Sequence, residues 1–479
     1  MRKRWAGVVL ATLLLAGCTA RETKPKSEIV IAVAADWIQQ PVSGARYVVA
    51  PDPLAALQKG EAQAALAPGP VPTGFESFPV RVSDQVLVQP WLTTPISLTV
   101  DEARRSPTPP LRRMRLSEVQ PGWQPVAVGG VVPTPETIWS GKYPLAEVIS
   151  VVYRPGVSAA VLDQLRVEPP APWATLSVAG DFMLARGVAR AMRENGTLYP
   201  VLKAKDHLAA ADLTFVNLES PIGVKGTPLP GKQIWFRAAP EAMEILKAAG
   251  IDGVTVANNH ILDYDTESFL ETLDGLQQAG IKYVGGGRNI AEARKPMVLE
   301  AKGVKIAFLG YSQFADLFFD WHYPRSFSAT EALAGVPRIQ DDWLAEDIRA
   351  AKALAPIVAV AFHWGDEFQN YPNEEQKRIA RRTIDLGADL VLGYHPHAIQ
   401  GFELYKGRVI AYSTGNFIMD RQDTDLARES MIIDLKLAPD GVKSASVLPV
   451  WIRAEQPYIM TGAEGEQLLK KIRTISEWK

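Results

Sequence analysis

From residue 175 onward, short apolar runs alternate with amphipathic stretches, and the runs break off abruptly at polar residues. Such alternation predicts an α/β domain with strands at 175–179, 213–216, 253–257, 305–309, 357–362, 389–392 and 409–412. Helices are predicted between them at 240–249 and 266–279. The second places Phe269, Leu273 and Leu276 on one face at i, i+4 and i+7. Asn373 followed by Gln376 has capping-box spacing and predicts the start of a helix running to Leu386. Near the end, 447–452 reads as a strand and 464–477 as an amphipathic helix. No internal repeat is present.

Upstream, the pattern predicts a first globular region over 28–167, with a strand at 29–34, a helix at 53–66 that contains Gly60, and a strand at 80–87. Residues 104–115 hold three prolines and five arginines and read as a solvated loop. Residues 60–64 and 143–146 resemble segments of periplasmic solute-binding domains; the alternative is a spacer or regulatory α/β domain. Glu168-Pro169-Pro170-Ala171-Pro172 continues neither a helix nor a central strand. It separates the first region from a second domain at 172–479.

Composition narrows the chemistry. At 479 residues the chain exceeds one ordinary domain. A formal net charge of −2 gives no electrostatic case for a nucleic-acid partner. One cysteine excludes both an internal disulfide and a zinc–thiolate cluster. Histidine, carboxylate and amide groups remain as metal ligands, and there are six histidines.

The lone cysteine has a telling position. Arg2, Lys3 and Arg4 precede an apolar run at 6–15 that is too short to span a bilayer, so 1–18 reads as a signal peptide. Leu15-Ala16-Gly17-Cys18 resembles the bacterial lipobox. That resemblance implies lipidation of Cys18 and lipid anchoring to the membrane outside the cytoplasm; the alternative is an ordinary secretory signal. Residues 19–27 are polar and read as a tether.

Five predicted strands end in residues that chemistry would use. The first leads to Gly180-Asp181, the second to Asn217-Leu218-Glu219, and the third to Asn258-Asn259-His260 with Asp263 close behind. The fourth leads to His363-Trp364-Gly365, followed by Asp366 and Glu367. The fifth leads to Gly393-Tyr394-His395-Pro396-His397. Sites in open α/β sheets collect beyond the carboxyl ends of strands, and four of the six histidines fall in these places. The other two, His207 and His322, read as surface or packing residues. Alternate residues of an extended segment point the same way, so His395 and His397 are expected to converge on one metal ion. Mixed nitrogen and oxygen donors suit Mn, Zn, Fe or Co.

Ordered motifs extend this pattern. They are Gly180-Asp181, NLESPI at 217–222, ANNHILDY at 257–264, GGGRNIAEA at 285–293, FHWGDE at 362–367, GYHPHAIQGFE at 393–403 and YSTGNF at 412–417. In this order they resemble the bacterial capsule-synthesis CapA family, the poly-γ-glutamate synthesis proteins, which is related to calcineurin-like metallophosphoesterases. The resemblance implies a four-layered α/β/β/α metallophosphoesterase-like sandwich, here preceded by a smaller α/β domain. It also implies that Asp181, Glu219, Asn259, His363, His395 and His397 bind one or two divalent ions, with Glu219 suited to bridging. His260 would be the general acid, and Asn217, Asn258, Asp263 and Asn416 would support the site.

The chain departs from the phosphoesterase Asp-x-His by placing Met183 two residues after Asp181, which leaves a mononuclear site open. Arg186 is either an anion contact or a surface residue, and Asp265 reads as a cap for the helix after it. Two functions are expected to compete. One is a lipid-anchored, extracytoplasmic, metal-dependent hydrolase of envelope polymer or phosphoester. The other is a non-catalytic component that holds anionic polymer during capsule synthesis or export, alongside capsule-synthesis membrane proteins.

Overall fold

The structure, a computed structural model, describes residues 28–478 apart from 35–41, 44, 69–70, 83–84, 106 and 168. The segments 1–18 and 19–27, with Cys18, lie outside the described residues. Contacts divide the chain into two compact units. One comprises the described residues of Met1–Val82 and Glu147–Glu168, the other those of Ser83–Ala146 and Pro169–Lys479. The described residues of 83–146 therefore group with the second unit, whereas the sequence boundary sets 28–167 apart as one stretch.

The smaller unit is a five-stranded sheet in the order Ala45–Val49, Ile29–Val33, Ala64–Pro68, Val148–Tyr153, Glu76–Val82. The expected helix over 53–66 is shorter, Pro53–Lys59, because Gly60 adopts φ 85° and its N–H closes on the carbonyls of Ala56 and Leu57. The chain then re-enters the sheet as Ala64–Pro68. The expected strand at 80–87 is two strands, Glu76–Val82 and Gln85–Pro90, which join different sheets. Within the expected loop 104–115, Arg112–Arg115 forms an edge strand antiparallel to Gln85–Pro90. Its exposed arginines suit an edge that must not recruit another strand.

The larger unit is mixed α/β and holds two large sheets. In one, the order is Lys282–Val284, Gly253–Thr255, Leu213–Leu218, Ala174–Phe182, Glu429–Ala438, Gly441–Arg453, Gln456–Ile459, with Asn416–Ile418 also paired to Ala174–Phe182. In the other it is Met297–Ala301, Val304–Ser312, Ile357–His363, Leu390–Tyr394, Arg408–Thr414, Ile399–Tyr405, Glu477–Trp478. Successive residues of a strand face opposite sides. Phe215 accordingly joins a cluster shared by both sheets, where it stacks on Phe308 at 4.3 Å, while Val216 packs with Phe269, Leu273 and Leu276 of the helix Asp265–Gln278. On the second sheet, Val358 and Val360 pack with Leu344, Ile348 and Ile379. Burial on both faces explains why these strands read as unbroken apolar runs.

All eight strands expected in this domain are present. Several run past their sequence-based ends, as Ala174–Phe182 does, because residues beyond the apolar run, here Asp181 and Phe182, are still paired. Glu429–Ala438 and most of Gly441–Arg453 were not expected; only 447–452 was. The capping box at Asn373 is made in both directions, at 2.9 and 3.0 Å. Among the described residues, no helix is long and apolar enough to cross a membrane.

Candidate metal centre

Parallel register brings the strand ends side by side. Asp181 lies next to Asn217 on one side and Asn416 on the other, and Asn217 lies next to Thr255. The approach is close, since a Cβ on Gly180 would stand 2.0 Å from the Gly415 carbonyl oxygen. Asn217 Nδ2 donates to Asp181 Oδ1 at 2.8 Å, and Asn258 Nδ2 donates to Asn217 Oδ1 at 3.1 Å. Asn258 Oδ1 accepts from the N–H groups of His260 and Ile261 at 3.0 and 2.9 Å. These amides therefore shape the turn that presents Asn259 and His260.

The imidazoles converge on the carboxylates. His363 Nε2 lies 2.9 Å from Asn259 Oδ1, 3.2 Å from His395 Nδ1 and 3.7 Å from Glu219 Oε1. His397 Nε2 lies 3.6 Å from the same Glu219 oxygen, while its Nδ1 is 2.8 Å from Asn416 Oδ1 and 3.5 Å from Asp181 Oδ2. Asn416 thereby orients the ring and leaves Nε2 toward Glu219.

The expected pleat is not what aims the histidine pair. The strand stops at Tyr394, and His395 and His397 have φ of 97° and 54°. Both occupy the left-handed region, which costs a residue with a Cβ about 1–3 kcal/mol and is retained where surrounding structure enforces it. Their rings lie 5.8 Å apart at 49°. A strained turn brings them together.

A divalent cation fits this donor set. Both Glu219 oxygens, Asp181 Oδ2 and His363 Nδ1 are buried with no hydrogen-bond partner, an arrangement that is costly unless something else satisfies them. Burial and then the Asp181 charge push the Glu219 carboxyl well above its ordinary range. Burial and then neighbouring imidazoles hold His363 and His395 well below theirs. Burial opposes charge on His397 as well, yet Glu219 and then Asp181 push it up to about 10. A cation removes the carboxylate clash and displaces the imidazole proton. Asp181, Glu219 and His397 each bring a ligand atom within 4.8 Å of the others, as do Glu367, His395 and His397. Glu367 is exposed and stands outside the six expected ligands.

Beside the cluster, His260 Nδ1 lies 2.8 Å from Asp263 Oδ2, which also accepts from Phe236 N–H at 2.6 Å. Lys232 Nζ pairs with the other Asp263 oxygen and donates to Asn259 O at 2.5 Å. The Phe236 ring stacks on His260 at 4.0 Å. Nδ1–H thus donates to Asp263, and Nε2 is the nitrogen left for chemistry. Burial lowers the His260 pKa against the pull of Asp263. Lys232 escaped the sequence reading because a single lysine in a loop carries no spacing signal.

Other expected residues fall elsewhere. Met183 is fully buried in an apolar cluster and its Sδ accepts from Ala185 N–H at 3.2 Å, so it stands apart from the ligands. Asp265 is not the N-cap; that position is Tyr264, and Asp265, at φ 61°, accepts from the adjacent Thr266 N–H and from Tyr323. His207 pairs with Asp434 at 3.0 Å, and His322 is an exposed surface residue.

Comparison with known proteins adds an independent line. The family model described as Bacterial capsule synthesis protein PGA_cap matches residues 175–421, a span that includes every residue of the cluster. Capsule biosynthesis protein CapA of Bacillus anthracis is 31% identical over 296 residues, covering 60% of this chain and 70% of that protein. PGA biosynthesis protein CapA of Bacillus subtilis is 30% identical over 289 residues, covering 59% and 72%. A crystal structure of a hypothetical protein from Thermus thermophilus aligns at 16% identity and a TM-score of 0.37, over 57% of this chain and 98% of that one.

Proposed function

This chain belongs to the bacterial capsule synthesis family PGA_cap, and from that premise we propose that it is a metal-dependent hydrolase working in capsular poly-γ-glutamate or related envelope metabolism. The observation that carries the reading is the set of partnerless Glu219 and Asp181 oxygens facing two imidazoles, His363 and His397, with His395 against His363. The two large sheets, each with helices packed on one face and a shared core on the other, are read as the four-layered sandwich of the metallophosphoesterases.

Asp181, Glu219, Asn259, His363, His395 and His397 would hold one or two ions such as Mn, Zn, Fe or Co. A bound ion supplies Lewis acidity at the scissile centre and acidifies water. The protein's own part is proton delivery. Asp263 holds Nδ1–H, so the protonated ring would carry its second proton on Nε2, give it to the leaving oxygen of the ester and end as the neutral Nδ1–H tautomer. Phe236 covers one face of the ring and limits water there.

A second reading, capture of anionic polymer without turnover, draws support from Met183, which leaves the Asp181 side one ligand short. One experiment separates the two. Full-length protein is analysed for metal and assayed with a chromogenic phosphodiester in Mn, Zn or Co. Turnover supports hydrolysis, stoichiometric metal without turnover across several esters supports capture, and absence of bound metal sinks both. Lipid anchoring outside the cytoplasm through Cys18 is part of the proposal. Cys18→Ala would then move the protein from the membrane to the soluble fraction.

A further inference from the structure

Two arginines stand in matching arrangements beside the cluster. The Arg186 guanidinium lies over the Phe236 ring at 5.5 Å, and that ring stacks on His260 at 4.0 Å. The Arg421 guanidinium lies over the Phe368 ring at 4.1 Å, and that ring packs on His397 at 5.9 Å. Each arginine has its Nε near a carboxylate, Asp420 at 3.3 Å and Asp423 at 3.2 Å. Among the described residues, neither arginine makes a hydrogen bond through its terminal nitrogens, and both side chains are about half exposed.

Backbone geometry holds both sides in place. Arg186 has φ 51°, and the following Gly187 N–H is fixed by Asp420 Oδ2 at 2.9 Å. Phe368 has φ 58°, and its N–H donates to Pro396 O at 2.7 Å, tying it to the turn between His395 and His397. A guanidinium placed over a phenyl ring, with its Nε engaged, has its terminal N–H groups left to act as a fork. Such a fork matches a carboxylate in a way that a lysine cannot.

We propose that Arg186 and Arg421 form a two-point clamp for a polycarboxylate chain, gripping carboxylates that neighbour the segment lying at the metal cluster. The ligand must then carry at least two anionic groups besides the one at the centre. This deepens the reading above, since it concerns the same pocket, but it requires only binding and not turnover.

The probe is a fluorescent poly-γ-glutamate oligomer, with anisotropy measured on the full-length protein. Arg186→Gln and Arg421→Gln should each weaken binding about tenfold, the loss expected for one charge-assisted pair. Arg186→Lys and Arg421→Lys should recover part of it. Lys443→Gln removes the same charge at the opposite end of the sheet, where Ala174 pairs with Leu437, and should change nothing. The proposal is overturned if neither arginine variant weakens binding, if Lys443→Gln weakens it equally, or if inorganic polyphosphate binds and poly-γ-glutamate does not. Should Arg186→Gln fail to fold, as judged by circular dichroism and metal content, Arg421→Gln decides alone. Binding that depends on both arginines in a protein without turnover would sink the hydrolytic reading and leave the clamp standing; turnover with arginine-independent binding would do the reverse.

Discussion

His260 Nδ1 lies 2.8 Å from Asp263 Oδ2, and the other oxygen of that carboxylate is paired with Lys232, so three buried ionisable groups end at a single available ring nitrogen. The geometry separates proton delivery from metal holding, because neither Asp263 nor Lys232 offers an atom to the ligand cluster. His260→Ala should keep metal content and fold while turnover of a phosphodiester falls roughly 10²–10⁴-fold, the usual contribution of a positioned acid. Unchanged turnover in that variant would remove His260 from the reaction.

Lys232 is nearly buried, and the Asp263 carboxylate it faces is wholly so. Burial pulls the lysine pKa down, and Asp263 works against that pull. Replacing the lysine strands a carboxylate in the interior, a loss that costs about 3–5 kcal/mol. Lys232→Met should show that loss in urea unfolding, and adding Asp263→Asn should restore part of it, since the two sites share one interaction. Simple additivity of the two substitutions would mean that the pair is not coupled.

How the site was legible in sequence follows from what periodicity records. Strand cores such as Val358 and Val360 declare themselves by hydropathy, and the residues just past them mark the mouth of the sheet. Those ends include Asp181, Glu219, Asn259, His363, His395 and His397, which the family resemblance implied as ligands, and the structure places these side chains near one another. Lys232 was not singled out because it sits in a loop, where nothing constrains spacing, and Glu367, though noted just past His363, was not counted among the ligands. The His395-Pro396-His397 turn was misread as a pleat because left-handed φ at a non-glycine residue is imposed by tertiary packing. The edge strand Arg112–Arg115 was hidden by its charge, and Glu429–Ala438 was simply not identified as a strand.

Glu219 invites a test with opposite signs. Its carboxyl is pushed up by burial and by Asp181, so the protein is strained by the same groups that attract a cation. Glu219→Gln should raise the melting temperature measured in chelator and lower metal affinity. The affinity loss should be at least the roughly 10–100-fold that removal of a ligand's supporting partner costs. Ordinarily, adding metal stabilises a protein that binds it only when folded, so the thermal shift on Mn addition should shrink in the variant. A variant that is less stable in chelator would contradict the like-charge account.

Away from the centre, His207 Nε2 meets Asp434 Oδ2 at 3.0 Å on the strand Glu429–Ala438. The hydrogen bond to Asp434 raises the histidine pKa, and burial offsets only part of that rise. A folded-state value above the unfolded one means that the pair stabilises fully below the unfolded pKa of about 6.5 and loses its effect as pH climbs through the higher folded value. His207→Gln should therefore destabilise the protein most near pH 6, by no more than about 1 kcal/mol for a partly exposed pair. The difference from wild type should close as pH rises through the higher folded value, above which the ring is neutral in both states. Chemical denaturation of the two proteins across that range gives the comparison. A gap that widens with pH would show that Asp434 does not hold a charged His207.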